Sequence, residues 1–391
     1  MTTAIACADN DFAKCAVCGA ATLHELVSYR MFRRVTSDCR PWPAGGQLCI
    51  CMDCGAAQKP ANAQFLDETT AVYNAYAIYH QAEGAEQVVF DQEAGLPASR
   101  SGRLIEQFFK YTALPNNGRV LDVGCGNGAM LRAFSGVAPG WRLAGTELTA
   151  KYRSDIEAIP NAESLHVGPV DDVAGTFDVI TLIHTLEHMV EPVSVLRSLA
   201  SKLKPRGVML IEVPHHVDNP FELLIADHRS HFSIATIEKA LSQAGYASLL
   251  VATDWVAKEL SVVAQPLPGS LAQDVAQSIE PNTAKNVVEQ RLGWLRRVAD
   301  AAHNYARNAP FGLFGTSIAG TWLAAELGDR VDFFVDEDPN RIGKNYLGKR
   351  IIAPADVSAG ATVFVAMPPT VALSICGRLA RAGVAYLPPP A

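Results

Sequence analysis

No apolar run in this 391-residue sequence approaches the ~20 residues that a membrane-spanning helix needs, so no membrane partner is expected. Basic clusters are missing too. With a net charge of −7 there is no surface to grip a phosphate backbone, which excludes nucleic acid as the expected substrate. Charge of either sign is sparse. Only 19% of residues are Asp, Glu, Lys or Arg against 49% hydrophobic, which fits a globular chain and not a disordered one. Residues 1–14 lack the basic start and apolar run of a secretory signal. That predicts a cytoplasmic, reducing setting, in which the nine cysteines are not expected to be disulfides. No tandem repeat or low-complexity tract is evident, and the length exceeds one ordinary core, so two or three domains are expected.

The cysteines that are present fall into a pattern. Cys15-Ala-Val-Cys18-Gly19 and Cys51-Met-Asp-Cys54-Gly55 repeat one Cys-x-x-Cys-Gly unit. Each tight turn aims two thiolates at one ion, and two such turns make a closed tetrahedral site with no open position. The expectation is a structural Zn2+ held by Cys15, Cys18, Cys51 and Cys54, supplying folding energy to a short segment with few apolar residues. Cys49 competes as a ligand but does not match the spacing. Cys7 and Cys39 have no partner at ligand spacing. Free buried thiols are the bland alternative.

The stretch Val120-Leu121-Asp122-Val123-Gly124-Cys125-Gly126-Asn127-Gly128 carries the strongest functional signal. An apolar strand (119–123) runs into three alternating glycines, and a helix (129–134) follows. Glycine permits the sharp turn and lets a ligand sit against the main chain. A second strand (141–146) ends at Glu147, where an acid of a doubly wound sheet accepts both hydroxyls of a ribose. Asp122 lies two residues before the first glycine, and the third glycine follows the second by two. This arrangement resembles motif I of class I S-adenosylmethionine (SAM) methyltransferases. The resemblance implies SAM as cofactor, with Asp122, Gly124, Gly126, Gly128 and Glu147 in its site. A tight turn with no ligand is the structural alternative.

Around this stretch the pattern alternates strand and helix. A helix is expected at 64–89, carrying Tyr73, Tyr76 and Tyr79 on one face, either for packing or for touching an acceptor. A further helix is expected at 101–111. A buried strand (177–183) ends at Ile183 and His184, on the edge where α/β sheets bind ligands, so both are assigned to cofactor contact. A helix (195–203), a Pro/Gly break and a strand (208–213) follow. A polar loop then carries His215, His216, His228 and His231 within seventeen residues. Metal binding, a hydrogen-bonded loop and acid/base chemistry are the three readings of that loop. A long helix (281–308) leads to a second α/β unit. There the turn from Gly315 to Gly320, with Thr316 and Ser317 in it, either presents N–H groups to a phosphate or merely packs, and a strand (331–335) ends at Asp336.

Taken in order, these parts resemble the zinc-containing C-methyltransferases that act on nucleotide-linked keto-deoxysugars. In Asp336-Glu-Asp-Pro339-Asn-Arg-Ile-Gly343-Lys344 the chain is similar to that family's C-terminal signature. Ile225-Ala226-Asp227-His228 and His231-Phe232-Ser233 match its active-site run, although Ile225 and Ala226 replace a tyrosine and a histidine. The resemblance implies an α/β architecture in which a class I methyltransferase Rossmann-like sheet lies between a small N-terminal zinc domain and a C-terminal Rossmann-like domain. The expected boundaries are 1–66 for zinc binding, 67–100 for a helical connector, 101–265 for SAM binding and 266–391 for the last domain with its leading helix. It implies His228 as base with Asp227 beside it, His184, His188 and Tyr79 as candidates for the enolate oxygen, and Tyr76, Tyr79, Gly315, Ser317 and Asp336 at the substrate. The expected substrate is a small molecule, a nucleotide-linked sugar, and the expected state is monomer or homodimer. Two rivals stand beside this reading: an O- or N-methyltransferase of a glycan or secondary metabolite, and a non-catalytic protein that binds SAM or a nucleotide sugar.

Overall fold

The structure is a computed structural model describing residues 14–78, 84, 86, 88–90, 97–267, 280–307 and 310–391. Its centre is a seven-stranded sheet ordered His166–Val167, Arg142–Glu147, Arg119–Val123, Phe177–Ile183, Leu203–Pro214, Glu259–Pro266, Tyr246–Ala252. The first five strands are mutually parallel, and Glu259–Pro266 runs antiparallel to both of its neighbours. A parallel sheet buried on both faces demands near-continuous apolar strands. Phe177–Ile183 and Val208–Val213 meet that demand: Val179, Ile180, Leu182, Met209, Leu210 and Ile211 are all buried. The helix Arg100–Tyr111 starts where the Ser99 hydroxyl accepts the Gly102 N–H at 3.1 Å, and it lays Leu104, Ile105 and Phe108 into the core.

Several boundaries differ from expectation. The expected helix over 64–89 ends at Asn74. Beyond it the main chain is taken by tertiary partners: Ala77 N–H donates to Asp38 Oδ2 at 3.1 Å, and Tyr76 C=O accepts from Lys151 Nζ at 3.2 Å. Such bonds outweigh helix propensity. The helix read at 195–203 spans Pro192–Ala200. The strand read at 208–213 begins at Leu203 and absorbs the Pro/Gly break as a register shift between Phe177 and Val179. The strands Tyr246–Ala252 and Glu259–Pro266 were not marked by the sequence reading, although both are apolar and β-branched.

A second, six-stranded sheet follows the helix Pro281–Tyr305 in the order Asn345–Tyr346, Lys349–Ile352, Phe333–Val335, Phe311–Phe314, Thr362–Val365, Ala385–Leu387. It is parallel except for the hairpin Asn345–Tyr346/Lys349–Ile352. The cysteine-rich segment forms a small antiparallel sheet, Leu23–Glu25, Cys49–Cys51 and Ala57–Gln58. Its fourth strand, Ser230–His231, comes from the histidine loop. That pairing, with Ala226 N–H donating to Val35 C=O at 2.7 Å, seals residues 220–233 from solvent. Among the described residues no helix is long and apolar enough to cross a membrane.

Candidate active site

The glycine turn stands at the carboxyl edge of the central sheet. Gly124, Gly126 and Gly128 all have positive φ, of 71°, 54° and 82°. At Gly126 a side chain would be strained by the backbone and would come within 2.9 Å of Ile78 Cδ1. Glu147 sits opposite. Its Oε1 accepts the Gly126 N–H at 2.9 Å and its Oε2 accepts the Leu148 N–H at 2.8 Å. A carboxylate oxygen has two lone pairs, so this half-buried group is oriented by two main-chain donors and keeps one acceptor position per oxygen. Two hydroxyls of a ribose fit that arrangement. Asp122 lies beneath the turn, accepts from Thr181 Oγ1 at 2.6 Å, and is pushed up to about 7 by burial.

Next along the edge, Phe177–Ile183 ends at His184, which adopts φ 49°. The imidazole is set among three acids. Its Nδ1 is 3.4 Å from Glu187 Oε1, and its Nε2 is 3.3 Å from Glu259 Oε2 and 3.6 Å from Glu212 Oε1. Arg100 reaches Glu212 Oε1 at 3.0 Å. Burial and Arg100 oppose a charge on His184, but Glu259 and Glu212 outweigh them and push it up to about 10. His184 is therefore an imidazolium at neutral pH, a donor and not a base. Glu259 reaches this edge because its strand runs antiparallel to the others.

The histidine loop separates into two groups. His215 pairs with Asp218, Nδ1 to Oδ2 at 2.8 Å, and His216 is buried and pushed down to about 3, chiefly by burial. His228 and His231 instead share one acceptor, Glu222 Oε1, at 2.7 and 2.9 Å from their Nδ1 atoms. Burial pushes His228 down to about 3 despite Asp227, and holds Glu222 well above the usual carboxylate range. Asp227 accepts the Ser37 N–H at 2.8 Å and the Ser37 hydroxyl at 2.5 Å. His188 packs edge-on against His228 at 4.5 Å between centroids, and its Nδ1 meets Asp227 C=O at 3.2 Å. Tyr73 stands edge-on to His188 at 6.0 Å, with Tyr76 5.8 Å from Tyr73. Tyr79 lies outside the described residues.

The four cysteines of the repeated unit converge. All four sulfurs lie within 4.8 Å of one another, with Cys15 to Cys54 at 3.6 Å and Cys18 to Cys51 at 3.5 Å. A tetrahedron with Zn–S of about 2.3 Å has edges of about 3.8 Å, and a disulfide is about 2.05 Å long, so the spacing suits an ion and not a bond. The Val17 and Cys18 N–H groups donate to Cys15 Sγ at 3.4 and 3.5 Å. Cys49 stands in register with Glu25 and Gln58, outside this group.

In the C-terminal sheet, Gly315, Ser317 and Asp336 meet at the carboxyl edge. The Gly315 N–H is taken by Val335 C=O at 2.7 Å, and a Cβ on Gly320 would lie 2.1 Å from Gly315 O, so close helix packing accounts for that glycine. Asp336 Oδ2 accepts from Thr316 Oγ1 at 2.9 Å and faces Arg341 Nη1 at 3.4 Å. Sequence reasoning did not mark Glu222, Glu187, Glu212, Glu259, Arg100 or Lys59. Only Glu222, an acid inside the histidine loop, left a signal there.

The glycine turn, the distal acid and a central sheet closed by one antiparallel strand are similar to the arrangement of class I SAM-dependent methyltransferase domains. Residues 97–251 match the family model described as a methyltransferase domain. A ubiquinone biosynthesis O-methyltransferase of Xanthomonas campestris pv. campestris is 31% identical over 125 residues, covering 29% of this chain and 49% of that protein. The protein of that name from Haemophilus ducreyi is 30% identical over 133 residues, covering 30% of this chain and 56% of the relative. The chain thus spans about half the length of the curated relatives it matches. Among solved structures, a methyltransferase of calicheamicin biosynthesis aligns at 20% identity with a TM-score of 0.36, over 43% of this chain and 54% of that one. A mitomycin 7-O-methyltransferase aligns at 18% identity with a TM-score of 0.37, over 43% and 53%.

Proposed function

We propose that the chain transfers a methyl group from SAM to a small acceptor, with His228 taking the acceptor's proton. The observation that carries this is the glycine turn facing Glu147 on the same sheet edge as the His228–Glu222 pair. When bound, SAM supplies an electrophilic methyl group. Asp122, Gly124, Gly126, Gly128, Glu147, Ile183 and His184 are the residues proposed to hold it. The chain's own chemistry is proton handling. Neutral His228 accepts a proton with its Nδ1 held against Glu222 Oε1, and the positive charge of His184 stabilises an oxygen that gains negative charge. Tyr76, Tyr79, Gly315, Ser317 and Asp336 are proposed substrate contacts, and the four converging cysteines are proposed to hold one structural Zn2+.

The acceptor we favour is the carbon beside a carbonyl of a nucleotide-linked keto-deoxysugar. The converging cysteines and the second Rossmann-like sheet support it, since both belong to the arrangement the sequence resembles. The names of the curated relatives favour a second reading, O-methylation. Product formed from a nucleoside-diphosphate keto-deoxysugar and 13C-methyl SAM separates the two by carbon NMR. A methyl on carbon supports the first, a methyl on oxygen the second, and no label transfer to any acceptor refutes both.

Removing Glu147 by Glu147→Ala is expected to cost about 1.5–3 kcal/mol of SAM affinity, the range for a charged hydrogen-bond acceptor. Gly126→Val is expected to abolish binding by filling the turn. Titration calorimetry checks both, and unchanged affinity in the pair would disprove the site.

The pH profile is constrained as well. A base pushed down to about 3 is protonated only below that value, so it is already competent throughout neutral pH. A profile of kcat/KM is expected to lack an acidic limb at the free-imidazole value of about 6.5. A limb centred there and retained in Asp122→Asn, which removes the carboxyl pushed up to about 7, would contradict a neutral, buried His228.

A further inference from the structure

We propose that Lys59 and Glu222 are positioning residues for His228, clamping its ring in the tautomer that leaves Nε2 open to a proton. The inference rests on the reading of His228 as base, and it gives the cysteine-rich segment a part in the reaction beyond folding.

The argument runs through donors and acceptors. Lys59 Nζ is 2.8 Å from His231 Nε2 and donates to His228 C=O at 3.2 Å. Burial pushes Lys59 down to about 7 while Glu222 and Asp227 favour its charge; as an ammonium it only donates, which makes His231 Nε2 the acceptor and puts the hydrogen on His231 Nδ1. That hydrogen points at Glu222 Oε1, 2.9 Å away. The same oxygen lies 2.7 Å from His228 Nδ1. Burial favours a proton on Glu222; borne on Oε2, which meets no hydrogen-bond partner among the described residues, it leaves Oε1 to accept from both rings and places the hydrogen of neutral His228 on Nδ1. The lone pair of His228 is then left on Nε2. A ring nitrogen of His228 lies within 4.8 Å of one of His188 and of a Glu187 oxygen, toward the less buried side of the cluster.

Lys59 is delivered to this place by strand pairing. Ala57–Gln58 pairs with Ser230–His231, Lys59 N–H donates to Arg229 C=O at 2.9 Å, and the Arg229 guanidinium donates to Lys59 C=O. Arg229 N–H in turn reaches Glu187 C=O at 2.7 Å. The lysine is 2% exposed, so a role for its charge on the protein surface is excluded. The groups facing it are the Tyr29 ring at 5.8 Å together with Glu222, Asp227, Glu68 and Arg34. A buried lysine is costly unless something uses its donors, and the two acceptors in range both belong to the His228 loop.

The test uses the full chain with three variants: Lys59→Met, Lys59→Arg and Glu222→Gln. The 15N spectrum of histidine-labelled protein, assigned by the signals that vanish in His228→Ala, is expected to show His228 protonated on Nδ1. In Lys59→Met and Glu222→Gln that signature is expected to become a mixture of tautomers. Turnover of a nucleoside-diphosphate keto-deoxysugar should fall about 10- to 100-fold with KM for SAM unchanged, as for other groups that orient a catalytic residue. Lys59→Arg keeps a donor and should recover part of the loss. A wild-type His228 protonated on Nε2 overturns the proposal, as does an unchanged signature in both Lys59→Met and Glu222→Gln. Full turnover in His228→Ala would instead refute the reading of His228 as base. The wild-type spectrum decides the tautomer even where a variant fails to fold.

Discussion

His228→Ala is expected to lower turnover about 10²–10⁴-fold, the usual contribution of a positioned general base, while leaving SAM affinity nearly unchanged. The separation of the two effects follows from geometry. The proposed cofactor contacts sit on the turn after Arg119–Val123 and at the ends of Arg142–Glu147 and Phe177–Ile183, whereas His228 hangs on a loop beyond Leu203–Pro214, held by Glu222 and by the cysteine-rich segment. Alanine leaves Glu222 Oε1 bonded to His231, so the loop keeps one of its two imidazole anchors. The side chain of His188 is more open, at 14% exposure against 3% for His228. The same measurement on His188→Ala therefore serves as the control. A larger loss in His188→Ala than in His228→Ala would move the base role to His188.

Removing the proposed Zn2+ is expected to have the other large effect. A closed four-thiolate zinc site contributes on the order of 10–16 kcal/mol of apparent binding energy in small zinc-dependent units, and that energy is folding energy. Protein purified without chelator should contain one zinc per chain by elemental analysis, and Cys51→Ser should lose it. The consequence is expected to travel. Cys49–Cys51 pairs with Ala57–Gln58, which pairs with Ser230–His231, so hydrogen-exchange protection at Ser230 and His231 should fall in the variant. Protection across Arg119–Val123 should hold, because that strand is anchored by its own parallel neighbours. Zinc-free protein with full protection at His231 would sink both the metal and the coupling.

What the sequence made legible was local. The glycine turn and Glu147 could be read because a strand, a backbone that needs positive φ and a distal acid follow one another within thirty residues. The cysteine unit could be read because two short turns repeat one spacing. The surroundings of His228 could not be read. Lys59 lies 169 residues from it in the chain, Glu259 reaches His184 and Arg100 reaches Glu212 from separate elements, and only the folded sheet order brings them to one edge. The helix from 64 ran too long in the sequence reading for a similar reason: Asp38 and Lys151 draw off the main chain just past its end. The pairing of Asp336 with Thr316 and Arg341 left no mark in the sequence either.

The most direct test of the account follows the acceptor's α-proton without methyl transfer. A nucleoside-diphosphate keto-deoxysugar is incubated in deuterated water with the enzyme and S-adenosylhomocysteine, which has no methyl group to donate, and exchange is read by proton NMR. Wild type is expected to exchange that proton, and His228→Ala to show only the background rate. Exchange that persists undiminished in His228→Ala, or that never occurs in wild type while methyl transfer does, would contradict a carbon acid deprotonated by His228.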